Sequence, residues 1–426
     1  MKTAQESASA RDAGTPYSKA AIAMFVVLLL SYVVNAMDRQ LFSVLATDVR
    51  KVLGLSLPQV GLASTVFTLG MGVAGIPTGY LLNRMSRKSV AIVGLIVFSI
   101  ATYLTGHTQG LPDLLCYRFA SGLGEAMQLT AILAIGTTYF LNHRAIAASS
   151  LNFTFGIGAV LGPNIGAAIL KATQWKMPFI IFGLAGIPVL VLIVFCVKSW
   201  FSEAQASDQP RTAGADEDAA ESIMAKTPLV LAIATVFAGL AIYGYLGLYP
   251  TYLREALGFT PRQAALAVSC YGLGALLSLF GGWLGDRFDY RKLLFVSLII
   301  ASISGGLLFT ELDRSLSAHM ALSFVFGSAI SGMVYANLSA GIIKSVKRAM
   351  ASQASGLFVA ALYIPAAFAG YLLGALKGVF GWTPAALLQI SSCALLAALL
   401  SIAARTKLGA RTSLRHKPQG PSSPLA

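Results

Sequence analysis

Twelve long apolar runs constrain this 426-residue chain more than any other feature of its sequence. A transmembrane helix needs about 20 mostly apolar residues. Runs of that kind lie near 20–46, 58–82, 89–106, 112–138, 145–170, 178–198, 227–253, 261–285, 293–310, 317–343, 350–376 and 383–403. Charged residues make up only 11% of the chain, whereas a soluble globular protein carries roughly 25%. The sequence therefore predicts an all-α, polytopic membrane protein with twelve transmembrane helices in two six-helix bundles.

A polar stretch separates the first six runs from the last six. This stretch, residues 199–226, contains an acidic cluster and predicts a flexible cytoplasmic connector. The predicted organisation is an N-terminal tail, a first bundle, the connector, a second bundle and a basic tail, with the bounds 1–19, 20–198, 199–226, 227–403 and 404–426.

The lysines and arginines predict how the chain is oriented. With the N-terminus in the cytoplasm, 21 of the 31 basic residues fall in cytoplasmic segments or at the run ends beside them, eight fall on the outside in the same way, and two lie deep within runs. Short cytoplasmic loops of membrane proteins carry an excess of Lys and Arg. Both termini are therefore expected on the cytoplasmic side of a cell (inner) membrane. The net charge of +14 then faces the bilayer surface, and nothing indicates a nucleic-acid partner. We expect a monomer with the lipid bilayer as its surroundings.

The sequence offers no pattern for a metal, an organic cofactor or ATP. The four cysteines lie in apolar runs without CxxC spacing, and no Walker A sequence occurs. The four histidines are assigned to loops or the tail, at His107, His143, His319 and His416. We expect no metal, no cofactor and no enzymatic activity.

Four strongly ionisable residues lie well inside the runs, away from their ends, and all are in the first half. They are Asp38 and Arg39 in the first run, and Arg118 and Glu125 in the fourth. Each costs roughly 2.5–3.5 kcal/mol at the bilayer centre, so such residues usually pair or face a cavity. At about 1.5 Å per residue, Asp38 lies roughly 15 Å from the outer end, between Arg118 at roughly 9 Å and Glu125 at roughly 20 Å. If the two helices are neighbours, the four form one buried cluster.

Such a cluster permits proton-coupled anion binding. With both acids ionised its charges sum to zero, and each arginine is occupied. Protonating Asp38 and Glu125 leaves two positive charges, and an arginine fork can then bind a carboxylate through two hydrogen bonds. The alternative is a structural ion-pair network that only holds the first bundle together.

One loop sequence occurs twice, after the second and the eighth run. The first copy, GYLLNRMSRK, begins at Gly79, and the second, GWLGDRFDYRK, begins at Gly282. Asn83 and Asp286 stand at equivalent places, 203 residues apart. Two halves with the same signature imply a parallel repeat about an axis along the membrane normal.

With this signature and twelve runs, the chain resembles the major facilitator superfamily, whose loop reads Gly-x-x-x-Asp-Arg-x-Gly-Arg-Lys. Asn83 and Ser86 depart from that pattern, and the second copy has one extra residue before Arg291. The resemblance implies a conformational latch formed by Gly79, Asn83, Arg84, Arg87, Gly282, Asp286 and Arg287. The alternative is that the basic residues only hold the loops inside.

The order Asp38-Arg39, with Arg118-Phe-Ala-Ser-Gly-Leu-Gly-Glu125-Ala in the fourth run, resembles the anion:cation symporter branch. Members of that branch import sugar acids, aromatic acids and dicarboxylates with protons. The resemblance implies that Asp38 and Glu125 carry protons, that Arg39 meets the substrate, and that Arg118 organises the acids. Spinster-like lysolipid transporters share a similar pattern and remain an alternative.

Two further features concern substrate and direction. Residues 158–166, with glycines and a proline, resemble a motif of drug/proton antiporters, although small residues serve helix packing equally well. In the second half, Tyr243, Tyr249, Asn337 and Gln353 are candidates for binding substrate. The tyrosines fit an interfacial aromatic belt as well, and Asn337 fits a helix–helix hydrogen bond.

The prediction is a proton-coupled symporter that imports a small organic anion by alternating access. The alternatives are a lysolipid transporter and a drug/proton efflux antiporter.

Overall fold

The computed structural model describes residues 18–82, 84–140, 144–172, 174–204, 220–311, 314–347 and 350–404. Within these ranges, twelve helices are long and apolar enough to cross a membrane. The prediction of an all-α protein with twelve transmembrane helices is therefore confirmed, while the proposed domain limits stay a prediction.

The first half contains six of these helices. They are α1 (Lys19–Leu53), α2 (Leu57–Thr65 and Phe67–Leu81), α3 (Arg87–Thr105), α4 (Leu111–Tyr139), α5 (Arg144–Ala172) and α6 (Lys176–Cys196). The second half contains α7 (Lys226–Glu255), α8 (Pro261–Ala275 and Ser278–Arg287), α9 (Tyr290–Leu307), α10 (Leu316–Gly327, Ser328–Val334 and Tyr335–Lys344), α11 (Ala351–Ala366 and Ala369–Phe380) and α12 (Trp382–Ala386, Leu387–Ser391 and Ser392–Ala403). The middle segments of α10 and α12 are π-helical.

A second sequence repeat marks the starts of α2 and α8. Ser56 and Thr260 each cap the helix by accepting a hydrogen bond from the backbone N–H of a glutamine three residues on, which bonds back to the cap. Gly54 and Gly258 precede these caps with φ angles of 64° and 71°, a conformation that glycine adopts at little cost. The two halves thus repeat at the loop opposite the signature loop as well.

Helix α1 extends seven residues beyond its predicted end at residue 46 because its polar last turns contact α7. Asp48 pairs with Arg254, and Arg50 Nη1 lies 2.6 Å from Glu255 Oε1. We call this the ion-paired end of the molecule, defined by these four residues.

The two halves pack closely toward the ion-paired end. Gly61 of α2 and Gly370 of α11 touch backbone to backbone, so a Cβ atom on either would collide with the other's carbonyl group. Asn164 Nδ2 of α5 donates to Ser269 Oγ of α8 at 2.6 Å. At the far end of α2, by contrast, a Cβ atom on Gly79 would have no neighbour within 4 Å.

The described ends of the connector are each held by one half. Glu203 accepts hydrogen bonds from the backbone N–H groups of Arg87 and Lys88, at 3.0 and 3.1 Å, where α3 begins. Ala220 forms a short parallel bridge to the α10–α11 loop. Lys347 there donates to Glu221 Oε1 at 2.6 Å, which lowers the pKa of that exposed carboxyl group.

Candidate functional site

Small residues in α4 allow its charged segment to be enclosed by two other helices. Gly122 faces the carbonyl group of Phe67 in α2, and Gly124 faces the backbone of Gly94 and Phe98 in α3. A larger side chain at either glycine would push these helices apart. The glycines between Arg118 and Glu125 therefore let α2 and α3 pack closely enough to bury both charged side chains.

Helix α5 positions α1 in the same way. Gly158, Gly162 and Gly166 lie on one face and contact the α1 segment from Val33 to Leu41, which carries the two α1 charges. The motif that resembles drug antiporters thus has a packing role in this structure.

The four buried charges form two ion pairs between α1 and α4. Arg39 pairs with Glu125, and Arg118 Nη1 lies 3.0 Å from Asp38 Oδ2. Each of the four residues is at most 5% exposed. The predicted single cluster is thus present in the structure, with equal numbers of positive and negative groups.

Aromatic rings surround the two guanidinium groups. The Phe67 ring lies 5.3 Å from the Arg39 guanidinium carbon and 5.1 Å from that of Arg118. Phe155 lies 5.0 Å from Arg39, and Phe42 lies 4.8 Å from Arg118. Aromatic faces attract cations within about 6 Å, so these rings help to hold both arginines charged away from water.

An amide pair extends the cluster away from the ion-paired end. Gln128 Nε2 donates to Asn35 Oδ1 at 3.3 Å, and both side chains are buried. Asn35 precedes Asp38 by one helical turn, and Gln128 follows Glu125 by one turn. Sequence reasoning missed this pair, although its spacing places it on the same helix faces as the charges.

A cavity of about 410 Å³ lies between the two halves beside the cluster. Arg39 is the one charged side chain among the described residues that line it. The other lining residues are mostly aromatic or aliphatic and come from six helices: Tyr32, Asn152, Phe155, Ile242, Tyr243, Leu246, Tyr271, Ser331, Tyr335, Leu362 and Tyr363.

The π-helical segment of α10 contributes two of these residues. Ser331 lies within it, and Tyr335 follows at its end. A π-helical turn changes the direction of the side chains after it and often occurs at functional sites. Nothing in the sequence signalled the irregularity, so Ser331 and Tyr335 were missed.

Of the tyrosines predicted to bind substrate, Tyr243 lines the cavity and Tyr249 does not. Tyr249 is fully buried within the second half, stacks on Tyr245 with ring centroids 4.7 Å apart, and its hydroxyl lies 2.8 Å from His319 Nδ1. Since it faces neither the cavity nor the lipid, it fits neither the predicted wall nor an aromatic belt.

The assignment of all four histidines to loops or the tail was wrong for His319. It lies in the first turn of the Leu316–Gly327 segment and is 1% exposed. The aromatic rings of Tyr249, Tyr252 and Phe259 surround it. Its position at the edge of an apolar run explains the error.

Asn337 lies away from the cavity and connects two helices. Its Nδ2 donates to the carbonyl of Gly281 in α8 at 3.0 Å and to that of Met333 at 2.8 Å. Asn337 therefore forms a helix–helix hydrogen bond, which was the predicted alternative to substrate binding. The side chain of Gln353 lies outside the described part of the structure.

The two signature loops show a matched pair of contacts. The Arg84 guanidinium lies 4.6 Å from the Tyr80 ring, and the Arg287 guanidinium lies 4.5 Å from the Trp283 ring. In each pair the arginine follows the aromatic residue by four positions, and the second pair lies 203 residues after the first. Arg87 Nη1 donates to the carbonyl of Ala204, in the connector, at 2.9 Å.

The remaining predicted latch residues are the two loop glycines, Asn83 and Asp286. Gly79 and Gly282 have open space around them, whereas Asn83 and the side chain of Asp286 lie outside the description. In the second loop, Arg291 donates to Asp289 and lowers the pKa of that carboxyl group. A latch between the halves therefore stays a prediction.

No group of three or more His, Cys, Asp or Glu side chains within the described ranges is placed to hold a metal ion. The chemistry available at the cavity is thus that of one guanidinium, its carboxylate partner, and tyrosine, serine and asparagine side chains.

The sequence is similar to those of several known transport proteins. The chain is 27% identical over 301 residues to a protein of Cupriavidus necator named probable sulfoacetate transporter, covering 66% of this chain and 70% of that one. It is 26% identical to the hexuronate transporter of Bacillus subtilis (65% and 67% covered). It is also 26% identical to a multidrug resistance protein of Klebsiella pneumoniae (70% and 73% covered).

Among solved structures, a bacterial homologue of the human lysosomal transporter Spinster, in an inward-facing and unoccupied conformation, shares the fold. Its TM-score is 0.70 at 19% identity, over 95% of this chain and all of that one. The profile of the Major Facilitator Superfamily matches residues 28–231 and 231–425. The chain therefore belongs to the Major Facilitator Superfamily, and it is a membrane transporter and not an enzyme.

Proposed function

We propose that this protein is a proton-coupled symporter that imports a small organic anion by alternating access. The observation that carries the proposal is the double position of Arg39, which lines the cavity and is also paired with Glu125. The names of the sulfoacetate and hexuronate relatives, both transporters of organic acids, support the choice of an anion.

The charges of the cluster link substrate to proton. The empty cluster is neutral with both acids ionised, so an anion would leave a net negative charge in a buried site. Uncompensated charge is expensive away from water. A proton on Glu125 removes that excess and frees the Arg39 fork, whose planar N–H groups suit a carboxylate. The anion and the proton therefore bind together.

Asp38 and Arg118 have a supporting role in this scheme. Their pair is buried, and neither residue lines the cavity. A proton on Asp38 would leave Arg118 uncompensated and make the site more attractive to an anion. Asp38 is thus the second proton-carrying group, and Arg118 holds it in place.

Import follows from coupling to a proton gradient directed into the cell, because the anion moves together with the proton. If both termini are cytoplasmic, the ion-paired end faces the outside of a cell (inner) membrane, and the halves in this structure are closed to the outside. The substrate then enters after the ion-paired end opens and leaves on the side of the signature loops. One chain contains the whole site, so a monomer suffices.

Uptake by protein reconstituted into proteoliposomes tests this proposal. An inward proton gradient should drive accumulation of a carboxylate from an organic-acid panel, and a protonophore should abolish it. Arg39→Lys should weaken binding by about tenfold or more, because a hydrogen-bonded charged contact contributes about 1.5–3 kcal/mol. Arg50→Lys, at the partly exposed ion-paired end, is the matched control.

Glu125→Gln separates coupling from binding. This variant should still exchange anion for anion across the membrane but should no longer respond to the proton gradient. Gradient-driven accumulation by the Asp38→Asn, Glu125→Gln double variant would contradict the assignment of protons to these residues.

A drug/proton efflux antiporter is the second candidate, supported by the multidrug resistance relative and the aromatic cavity. Efflux of cationic drugs, with no uptake of anions, would favour it. A lysolipid transporter is the third candidate and rests on the shared sequence pattern alone. Movement of lysolipid in place of carboxylates would nevertheless select that alternative.

A further inference from the structure

The two buried guanidinium groups are only partly hydrogen-bonded. Arg118 donates to Asp38 Oδ2 through Nη1, whereas its Nε and Nη2 atoms, and Arg39 Nε, find no hydrogen-bond acceptor among the described residues. Both arginines are at most 5% exposed, so these N–H groups do not reach bulk water. A buried cation is costly unless other groups compensate it, and the aromatic faces beside the two arginines supply part of that compensation.

One of these rings, that of Phe67, serves both arginines. It lies 5.3 Å from the Arg39 guanidinium carbon and 5.1 Å from that of Arg118, and Phe67 is buried. The Phe67 carbonyl group packs against Gly122 of α4, between the two charges of that helix, and this contact fixes the position of the ring. The ring also meets Tyr243, which lines the cavity, at 6.2 Å between centroids.

An aromatic ring responds differently to the two protonation states of the cluster. Its negative face attracts a guanidinium and repels a carboxylate, so its effect on an intact ion pair is partly cancelled. When the carboxylate takes up a proton, the repulsion ends and the guanidinium loses its anionic partner. The ring does not titrate and stays as a partner of the cation. A ring shared by both arginines therefore stabilises the proton-loaded cluster more than the ionised one.

The other helices packed around the cluster present groups that do not compete for the proton. The contacts from α2, α3 and α5 come from Phe67, Thr102 and Phe155, which do not titrate. The titratable groups that interact electrostatically with Arg39 from the cavity wall are tyrosines: Tyr32, Tyr243, Tyr271, Tyr335 and Tyr363. Tyrosine ordinarily titrates near pH 10, so these hydroxyl groups stay neutral while the acids titrate.

Resting on the proposed function, we infer that Phe67 is a positioning residue for proton coupling, which stabilises the cluster when Glu125 or Asp38 carries a proton and the anion has not yet bound. Without the ring, a protonated acid would leave a guanidinium with less compensation, and the proton would bind only at lower pH. Phe67 thus sets the pH at which the transporter takes up its protons.

Infrared spectroscopy of the purified full-length protein in detergent, without substrate, tests the inference. A protonated carboxyl group gives a C=O stretching band that a carboxylate lacks, and the Glu125→Gln and Asp38→Asn variants identify the bands of the two acids. Phenylalanine with one, two or three ring fluorines, introduced at position 67 by nonsense suppression, keeps the shape of the ring and progressively weakens its negative face. The pH at which each band reaches half its intensity should fall with each fluorine, in total by about one pH unit, which is a tenfold loss of proton affinity. Phe67→Leu should lower it by a similar amount.

Phe309 is the matched control. It is fully buried in the second half, where its ring contacts the rings of Tyr249, Tyr252 and Trp382. The same fluorinated residues at this position, and Phe309→Leu, should leave the half-intensity pH of both bands unchanged.

The results separate this inference from the proposed function. A shift with Phe67→Leu that fluorination does not reproduce would mean that the volume of the ring matters and not its charge distribution, and would overturn the inference. Equal shifts from changes at Phe67 and at Phe309 would overturn it too. In both cases the acids still titrate and the symporter stands. If neither acid shows a band that grows as the pH falls, the assignment of protons to Asp38 and Glu125 fails, and the inference fails with it.

Discussion

The crossing of α2 and α11 at Gly61 and Gly370 leaves no room for a side chain on either residue. A methyl group added at Gly370 would lie 2.6 Å from the carbonyl carbon of Gly61 and 3.0 Å from its Cα, whereas carbon atoms in contact are about 3.5–4.0 Å apart. Both partners are backbone, so no side-chain rotation relieves the collision. In the Gly370→Ala variant the helices must separate by on the order of 1 Å.

This separation should weaken the closed arrangement at the ion-paired end. Overpacking a well-packed contact costs typically about 1–3 kcal/mol, and a cost confined to one of two states changes their ratio by about 5- to 150-fold. Gly370→Ala should therefore shift the population toward a conformation open at the ion-paired end.

Labelling of a buried cysteine measures that shift. Val44 is fully buried in a cluster with Ala167 and Ala265, where α1 and α5 meet α8. In a background without the four native cysteines, Val44→Cys should react with a membrane-impermeant maleimide at least about fivefold faster when Gly370→Ala is present.

Gly378→Ala is the matched control because it lies in the same segment of α11 and an added Cβ there meets nothing within 4 Å. Both substitutions change helix propensity by about the same 1 kcal/mol, so the comparison isolates the collision. Equal labelling rates in the two variants would refute the reasoning, since the crossing would then not distinguish the closed state from the open one.

Three further predictions follow from contacts outside the cavity. Asp48→Asn should also speed labelling of Val44→Cys, by up to about fivefold, because it weakens a partly exposed pair with Arg254 that contributes roughly 1 kcal/mol; an unchanged rate would mean that this pair does not hold the end closed. Tyr249→Phe should lower stability in detergent by about 1 kcal/mol, because the buried hydrogen bond between Tyr249 and His319 is lost, without altering the Kd for any anion. Asn337→Leu should lower stability by about 1–3 kcal/mol by removing the two hydrogen bonds that its amide donates to the Gly281 and Met333 carbonyls; a change in substrate preference with stability intact would contradict its structural placement.

The number and approximate positions of the helices could be predicted because helix length in a membrane is set by local composition. Helix α4, predicted at 112–138, spans Leu111–Tyr139. The prediction was poorer for α1, which continues to Leu53. Its last turns are polar, and they stay helical because of ion pairs with α7, a contact that no local pattern contains.

Part of the site was also predictable. The helical rise placed Asp38 and Arg39 at the depth of the α4 charges, and the structure brings all four together. Which arginine meets which acid could not be predicted, because either pairing fits the same depths. The choice depends on the surrounding side chains, such as the Phe67 ring between both guanidinium groups.

Tyrosines were the least predictable part of the site. Tyr32 and Tyr335 line the cavity and were not singled out, whereas Tyr249 was singled out and lies elsewhere. A tyrosine suits a lipid interface, a helix core or a binding site equally well. The environment of a tyrosine depends on how the six helices around the cavity pack. The π-helical turn before Tyr335 shows that a small local irregularity can determine whether a side chain faces the cavity.

The uneven distribution of charge between the halves has an evolutionary consequence. The four buried charges all belong to α1 and α4, while the described side chains that the second half contributes to the cavity are uncharged. Under the proposed function, the proton-carrying residues and Arg39 are encoded in the first half of the gene, and the second half supplies uncharged side chains to the cavity. Relatives could then vary the uncharged part of the cavity by mutating or recombining the second half alone, while the charged cluster stays unchanged. A chimaera that joins this first half to the second half of a relative would then inherit its charged cluster from one parent and the uncharged part of its cavity from the other.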